Sequence, residues 1–185
     1  EKIMSEIDDD TSILLTACDN GVLYNSDKFA DLIEDLDNDI VVWSYRNNYT
    51  AYRNPDMYSW LDVDGDDVKN VSVKKFTGDN PVNEYAIVGT MFFRNKDVYL
   101  NSLKQTYEKD VRTNGEFYVD TILNEAIALG YKVKNFEVDH YICWGTPNDL
   151  KTYRYWQKFF DKVKWHSYDY RKDYLTYWVL ESGSD

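Results

Sequence analysis

The feature that most restricts the fold of this chain is a pair of short apolar runs separated by an amphipathic segment. The first run covers residues 12–18 and the second covers residues 40–45. Such runs are typical of strands that are buried on both faces, as in parallel sheets. Between them, apolar residues recur at helical spacing after Ser26, which can cap a helix that extends to about residue 36. This strand–helix–strand order predicts an α/β domain.

The rest of the chain continues the alternation around an inserted hairpin. Thr146 followed by Pro147 is the clearest helix start, since the hydroxyl suits the N-cap and proline suits the first helical position. The predicted elements are a hairpin over 58–75, a strand over 85–93, helices over 95–111 and 117–129, a strand over 131–139, and a final helix from 146. Strands at both ends and a hairpin between them predict a mixed-sheet α/β domain.

Composition excludes several classes of function. The chain has 185 residues, with 33 acidic against 21 basic side chains and a net charge of −12, which argues against a nucleic-acid partner. No apolar run approaches the ~20 residues that span a bilayer, so no membrane association is expected. Only two cysteines occur, Cys18 and Cys143, which favours a reducing, cytoplasmic location over a disulfide scaffold.

Two acids near predicted strand ends are candidate metal ligands. Asp19 follows the first apolar run, and Asp139 lies where the chain leaves its last predicted strand. Ligands of open α/β sheets gather at the carboxyl ends of strands, so such acids suit Mg²⁺. Alternatively, Asp19 is an ordinary turn aspartate. His140 and Cys143 lack further soft ligands at zinc-like spacing and are interpreted as ordinary strand residues.

Three further positions suggest substrate binding, and each also has a structural explanation. Lys74 and Lys75 close the hairpin, where lysine can meet a phosphate or simply be a solvated strand end. Glu116 opens a predicted helix, where it can complement the helix dipole or accept hydrogen bonds from a polyol. Gly89 lies inside a predicted strand, which often marks a close approach of another group to the backbone.

The order and spacing of six short motifs resemble the sugar-phosphate nucleotidylyltransferases (sugar-nucleotide pyrophosphorylases), especially their bacterial polysaccharide-biosynthesis branch. The matching stretches are residues 14–19, 54–60, 71–76, 86–93, 114–120 and 144–150. The resemblance implies a Rossmann-like mixed sheet of the nucleotide-diphospho-sugar transferase fold. It also implies Mg²⁺-dependent transfer of a nucleotidyl group from a nucleoside triphosphate to a sugar 1-phosphate, with release of pyrophosphate.

The resemblance assigns roles residue by residue. Asp19 is the first metal ligand and Asp139 is the expected second ligand, while Lys75 meets the sugar phosphate as the catalytic lysine. The residues expected to line the substrate pocket are Asn20, Tyr58, Ser59, Gly89 and Glu116.

The chain also departs from the pattern of the family. Lys74 stands where the family has a sugar-binding glutamate, Ser59 replaces a usual glycine, and Cys143 replaces the usual acid before the Gly-Thr-Pro turn. All eight glycines are isolated, so no Gly-rich loop is present to cradle a triphosphate. The family places that loop at the start of its polypeptide. The chain therefore corresponds to the C-terminal two-thirds of such a domain.

These departures lead to expectations about the limits of the chain and its activity. Residues 1–10 are expected to be the end of a truncated helix, and residues 163–185 a C-terminal tail. We expect no turnover by these 185 residues alone. One alternative is a non-catalytic sugar or nucleotide-sugar binding domain. A glycosyltransferase of related fold ranks last, because Asp19 lacks the second acid, two residues away, that its metal motif requires.

Overall fold

The computed structural model describes residues 6–48, 50–163 and 165 as an α/β structure. Its strands are β1 Ile13–Leu15, β2 Asn20–Leu23, β3 Ile40–Tyr45, β4 Trp60–Asp64, β5 Asp67–Ser72, β6 Tyr85–Phe93, β7 Val133–Glu137 and β8 His140–Cys143. Its helices are α1 Ser26–Glu34, α2 Thr50–Arg53, α3 Lys96–Glu108, α4 Thr121–Ala128 and α5 Pro147–Lys162, with a 3₁₀ turn at Pro55–Met57.

Six of the strands form one mixed sheet. Their order is β1-β6-β3-β7-β5-β4, and the start of β4 also pairs with β6. β3 and β7 run parallel, whereas the other neighbours are antiparallel. β2 and β8 form a separate two-stranded antiparallel ribbon. The mixed sheet predicted from the sequence is confirmed.

The core consists of one apolar layer on each face of the sheet, and β3 contributes to both. Ile40 and Val42 pack with α3 and α4 on one face. Val41, Trp43 and Tyr45 pack with α1 on the other face. Successive strand residues point to opposite faces, so a strand covered on both sides must be apolar throughout. This explains the continuous apolar run over residues 40–45.

The prediction for the first apolar run is wrong in length and in environment. Only Ile13–Leu15 forms a strand, and it pairs antiparallel with β6 at the edge of the sheet. Leu14 is 53% exposed, so the described residues cover only one face of this strand. An apolar run by itself cannot distinguish an edge position from a central one, because that depends on which strand pairs beside it.

The predicted helices all occur, but two of their starts are displaced. α1 is capped by Asn25, whose side chain accepts a hydrogen bond from Lys28 N at 3.0 Å, and not by Ser26. α4 begins at Thr121 and not at residue 117, because the preceding Asn-Gly pair forms a tight turn that closes a bridge between Thr113 and Glu116. Local hydrogen bonds in caps and turns thus determine where these helices begin, and apolar spacing alone does not show those positions.

The caps of α3 and α5 are confirmed. Asn95 accepts a hydrogen bond from Val98 N at 3.0 Å. Thr146 accepts one from Asp149 N at 3.2 Å, with Pro147 in the first turn. α3 ends at Glu108, three residues before the predicted end.

The strand predicted over 131–139 forms β7, and a further strand, β8, follows it. β7 ends at Glu137, and after a short bend β8 pairs with β2 outside the main sheet. Tyr45, at the end of β3, stacks on Tyr141 of β8 with ring centroids 4.0 Å apart and ring planes 2° apart. The ribbon is thereby packed against the carboxyl end of the central strand.

The two terminal segments fall mostly outside the described residues. Residue 6 is in a 3₁₀ turn, residues 7–10 form a bend and a turn, and residues 1–5 lie outside the description, so the helix end predicted over 1–10 stays a prediction. Of the predicted tail, only residues 163 and 165 are described. Within the described part of the chain, no helix is long and apolar enough to cross a membrane.

Because β6 is buried and β1 lies at the exposed edge, truncation of an apolar side chain should lower the free energy of unfolding much more in β6 than in β1. Met91 has no exposed surface, so Met91→Ala should lower the free energy of unfolding by about 2–5 kcal/mol. Leu14→Ala, on the exposed edge strand, should cost less than about 1 kcal/mol. Urea unfolding of both variants tests this, and equal midpoints would contradict the assigned positions of β1 and β6 in the sheet.

Candidate active-site cleft

A cleft of about 410 Å³ opens where β6 begins, beside the carboxyl end of β3. Ligands of open α/β sheets gather at this kind of position. The lining residues are Asp19, Asn20, Arg53, Asn54, Met57, Tyr58, Ser59, Lys74, Ile87, Val88, Gly89, Asp120, Tyr141, Cys143, Gly145, Thr146, Asn148 and Asp149. The cleft therefore combines carboxylates, cations and hydroxyls drawn from distant parts of the sequence.

Gly89 allows the loop after β1 to lie against β6. Its φ of +92° is unfavourable for other residues, and a Cβ there would lie 3.1 Å from Ala17 Cβ. One residue before it, Val88 O accepts a hydrogen bond from Asn20 Nδ2 at 2.9 Å. The glycine inside the strand thus marks a close approach of backbone to backbone, and that approach brings Asp19 to the cleft.

Asp19 has a carboxylate that is available to a ligand. Its backbone is held by Trp144 N, which donates to Asp19 O at 2.9 Å. Its Oδ2 lies 2.9 Å from the point that a Cβ on Gly145 would occupy, so any larger residue there would displace the carboxylate. Among the described residues, no hydrogen-bond donor reaches this side chain. Asp19 is therefore free to accept from a bound group or to hold a cation.

The neighbouring carboxylate of Asp149 is already engaged. Thr146 Oγ1 donates to Asp149 Oδ2 at 2.6 Å, and Cys143 Sγ lies 3.5 Å from the same oxygen. Asp149 N donates to Thr146 Oγ1 in return, which closes the first turn of α5. Asp149 thus serves mainly to stabilise the start of its helix.

The described residues provide only a partial site for Mg²⁺. Over residues 6–48, 50–163 and 165, no group of three or more His, Cys, Asp or Glu side chains is placed to hold a metal ion. Mg²⁺ often takes only one or two carboxylates from the protein and completes its shell with water and substrate phosphate. Asp19 fits that arrangement, whereas the thiol of Cys143 is a soft ligand that Mg²⁺ does not favour.

Asp139 is not positioned to share an ion with Asp19. Asn20 pairs with Cys143 and Leu23 pairs with His140, so Asp19 lies at the opposite end of the β2–β8 ribbon from Asp139. The four residues from Asp139 to Cys143 span about 13 Å when extended. Asp139 is exposed and does not line the cleft. Its predicted role is therefore corrected, because pairing of β8 with β2 sets a register that the linear sequence does not show.

The opposite wall of the cleft is a polar group made of Ser59, Lys74 and Asp120. Ser59 is 2% exposed and accepts a hydrogen bond from Lys74 N at 3.4 Å. Lys74 Nζ donates to Met57 O at 2.5 Å. Lys74 adopts φ of +52°, which is uncommon outside glycine and directs this lysine toward the cleft.

Asp120 is the partly buried acid of this group. Removal from water raises the pKa of its carboxyl, while a hydrogen bond from Ser59 and the positive charge of Lys74 act in the opposite direction. Its side chain makes no capping hydrogen bond to α4, although Asp120 occupies the N-cap position of that helix. The carboxylate thus faces the cleft and not the helix that follows it.

Arg53 is the second cation of the cleft. It ends α2 and is exposed, and it has no ion-pair or hydrogen-bond partner within the described ranges. A guanidinium without a partner suits an anionic ligand, because it can bind phosphate or carboxylate through two parallel hydrogen bonds.

The structure brings most of the predicted site residues together. Asp19, Asn20, Tyr58, Ser59 and Gly89 all line the cleft, although their roles stay predictions. Lys75 does not line it, because the left-handed turn at Lys74 presents that lysine and leaves Lys75 exposed. Glu116 does not line it either, since it lies exposed on the Asn-Gly turn and accepts a hydrogen bond from the Tyr118 hydroxyl at 3.2 Å.

Sequence reasoning missed Arg53 and Asp120. Arg53 directly precedes the matching stretch 54–60 and Asp120 ends the stretch 114–120, so both lay at the edges of motifs already singled out. A signal for Asp120 existed, because an acid just before the apolar residues of α4 is either a cap or a cleft residue. Only the observed side-chain contacts distinguish the two.

The fold resembles solved structures of nucleotidyltransferases. A nucleoside-diphosphate-sugar pyrophosphorylase of Vibrio cholerae RC9 aligns with a TM-score of 0.59 and 17% identity, over 82% of this chain and 59% of that one. A candidate glucose-1-phosphate thymidylyltransferase of Bacillus anthracis, solved with sucrose, aligns with a TM-score of 0.60 and 13% identity, over 90% and 61%. An inositol-1-phosphate CTP transferase of T. maritima aligns with a TM-score of 0.57 and 17% identity, over 87% and 61%.

These likenesses show that the chain has the fold of the nucleotidyltransferases, as the sequence predicted. The chain spans 59% to 61% of the length of those three proteins. No protein-family model matches the chain, and no curated protein sequence does.

Burial of Asp120 predicts a stability that depends on pH. Because the folded pKa is raised, the folded chain retains a proton that the unfolded chain releases, and stability is lost as pH rises through the raised value. Asp120→Asn imitates the protonated acid, so it should be more stable than the parent at pH 7. The gain should vanish below about pH 4, where both states of the parent are protonated.

Thermal unfolding between pH 3.5 and pH 8 measures this difference. Asp31→Asn is a suitable control, because Asp31 is exposed on α1 and does not line the cleft. A lower melting temperature of Asp120→Asn at pH 7 would show that the carboxylate stabilises the fold.

Proposed function

We propose that the cleft binds a sugar 1-phosphate and that the protein transfers a nucleotidyl group to it from a nucleoside triphosphate. The observation that carries the proposal is the convergence of Asp19, Arg53, Lys74 and Asp120 on one cleft, at the carboxyl end of the central strand of a nucleotidyltransferase fold. Asp19 and Arg53 have no side-chain partner among the described residues, so they suit a charged ligand. The hydroxyls and backbone at Tyr58 to Ser59 suit a sugar ring.

The cations of the cleft suit the phosphate of this ligand. Arg53 has no partner among the residues that the structure describes, and Lys74 places a second positive charge in the same cleft. Together they would neutralise the phosphate and hold it in place for reaction. We propose Lys74 for the role that the sequence assigned to Lys75.

Asp19 would hold Mg²⁺ together with phosphate oxygens of the substrates. The ion would reduce the negative charge on the reacting phosphates. Asp19 suits this role because its carboxylate projects past Gly145 with no donor around it among the described residues. With a thiol at Cys143 and Asp149 engaged by Thr146, Asp19 is the one free carboxylate on this side of the cleft within the part of the chain that the structure describes.

The transfer itself needs positioning and charge neutralisation more than acid–base chemistry. A phosphate oxygen of the sugar 1-phosphate forms a bond to the α-phosphorus of the triphosphate, and the bond from that phosphorus to the β-phosphate oxygen breaks. The electron pair leaves with pyrophosphate. Residues of the cleft would contribute by fixing the attacking oxygen in line with the bond that breaks.

A second function, binding without turnover, is favoured by one observation. Cys143 and Lys74 stand where the resembling family has acids, and the described residues include no group of three or more His, Cys, Asp or Glu side chains placed to hold a metal ion. A domain of this kind would retain the sugar pocket as a binding or regulatory site. The proposal of a transferase also includes a cytoplasmic location and a role in polysaccharide biosynthesis.

Removal of the Asp19 carboxylate should abolish transfer and leave the fold intact. We expect Asp19→Ala, made in the product of the complete gene, to reduce pyrophosphate release by at least about 100-fold, because charge stabilisation of the transition state is lost. Its thermal unfolding should match that of the parent, since the side chain is exposed. Asp31→Ala is the matched control.

Two measurements distinguish the two functions. Calorimetric titration of the 185-residue chain with sugar 1-phosphates tests binding, and pyrophosphate release by the complete gene product tests transfer. Binding together with release supports the transferase. Binding without release supports the binding domain, and the absence of both rejects the proposed use of this cleft.

A further inference from the structure

Asp120 directly precedes α4 and already has a helical backbone, with φ of −60° and ψ of −25°. An aspartate caps a helix from a non-helical backbone, so no capping bond is expected here and none is made. Its side chain lines the cleft, where its partners are Ser59 and Lys74. The role of this carboxylate therefore depends on the cleft and not on the helix.

The partners of Asp120 hold its carboxylate in one place. Ser59 donates a hydrogen bond to it, and the charge of Lys74 lies close enough to favour its ionised form. Ser59 is 2% exposed, so it cannot rearrange freely, and Lys74 is fixed by its bonds to Ser59 and Met57. The Lys74 ammonium also lies 5.4 Å from the centre of the Tyr118 ring. Asp120 is therefore a preorganised acceptor.

The charge balance around Asp120 indicates which ligand group it accepts. A phosphate is disfavoured, because the carboxylate would repel it. An ammonium group would compete with Lys74 for the same carboxylate, which already has its positive neighbour. A hydroxyl donates one hydrogen bond, adds no charge and needs little space. A neutral donor is therefore the group that this arrangement suits best.

We propose that Asp120 is a specificity-determining residue that accepts a hydrogen bond from one hydroxyl of the sugar ring. This inference rests on the proposed function, because it places a sugar in the cleft. It adds a requirement that the sequence did not suggest: the ligand must carry a hydroxyl at the position facing Asp120. A ligand without that hydroxyl covers the Asp120 carboxylate without adding a donor to those that Ser59 and Lys74 already supply. Taking part of an acceptor out of water without a new hydrogen bond costs more than the loss of an exposed hydrogen bond.

The test is a titration series with the 185-residue chain. First, the 1-phosphates of glucose, galactose, mannose and N-acetylglucosamine are titrated to find the best binder. Its monodeoxy analogues are then titrated into the parent, Asp120→Ala, Asp120→Asn and the control Asp31→Ala. For the parent, removal of one particular hydroxyl should weaken binding by about 10- to 100-fold, as expected for a hydrogen bond to a charged group.

In Asp120→Ala, that same deoxy analogue should bind within about 2-fold of the best binder, because the unpaired acceptor is gone. The effects of the other deoxy positions should persist, and a structural role for Asp120 would not produce this selectivity. Asp120→Asn keeps an amide oxygen as a weaker acceptor, so its discrimination should be intermediate. If Asp120→Ala does not unfold cooperatively, and so is not properly folded, the comparison of Asp120→Asn with the parent takes its place.

The possible failures are distinguishable. If no sugar 1-phosphate binds the parent, the proposed function is wrong and this inference falls with it. If a sugar 1-phosphate binds but Asp120→Ala discriminates among the analogues as the parent does, this inference alone is overturned. Asp120→Asn is used for this comparison if the alanine variant is not folded. This inference alone is also overturned if the parent discriminates against none of the analogues.

Discussion

Burial of β3 on both faces is the constraint on which the rest of this structure depends. Its six side chains have almost no exposed surface, and they alternate between two apolar layers. Since β3 lies between β6 and β7, its backbone is paired on both edges as well. Apart from the buried hydrogen bond between Ser44 and Asn135, the polar groups beside this strand gather where it ends. Tyr45 marks that end and stacks on Tyr141, which positions the β2–β8 ribbon beside the cleft.

The cleft contains groups that each reduce the stability of the fold, and the buried sheet tolerates them. Lys74 adopts a left-handed backbone, the carboxyl of Asp120 has a pKa raised by desolvation, and Asp19 has no donor among the described residues. None of these features contributes to a packed core. Their concentration in one cavity is the physical argument for a binding site there, because a protein without such a function would gain stability by removing them.

The sequence predicted the site residues that depend on local signals better than those that depend on pairing. Gly89 was identifiable, because a glycine inside an apolar strand has few explanations. Asp139 was misplaced, because its distance from Asp19 is set by the register of β2 on β8. Lys75 was chosen over Lys74, because the left-handed turn that exchanges their directions is uncommon for lysine.

The sequence by itself determined most of the strands and all of the longer helices in their order, the buried central strand and the fold class, because apolar periodicity and helix caps act over a few residues. Only the tertiary structure decided that β1 is an edge strand, that β8 leaves the main sheet, and that Arg53 and Asp120 face the cleft. These outcomes depend on contacts between segments tens of residues apart. Such contacts depend on the packing of the whole chain, which no local pattern encodes.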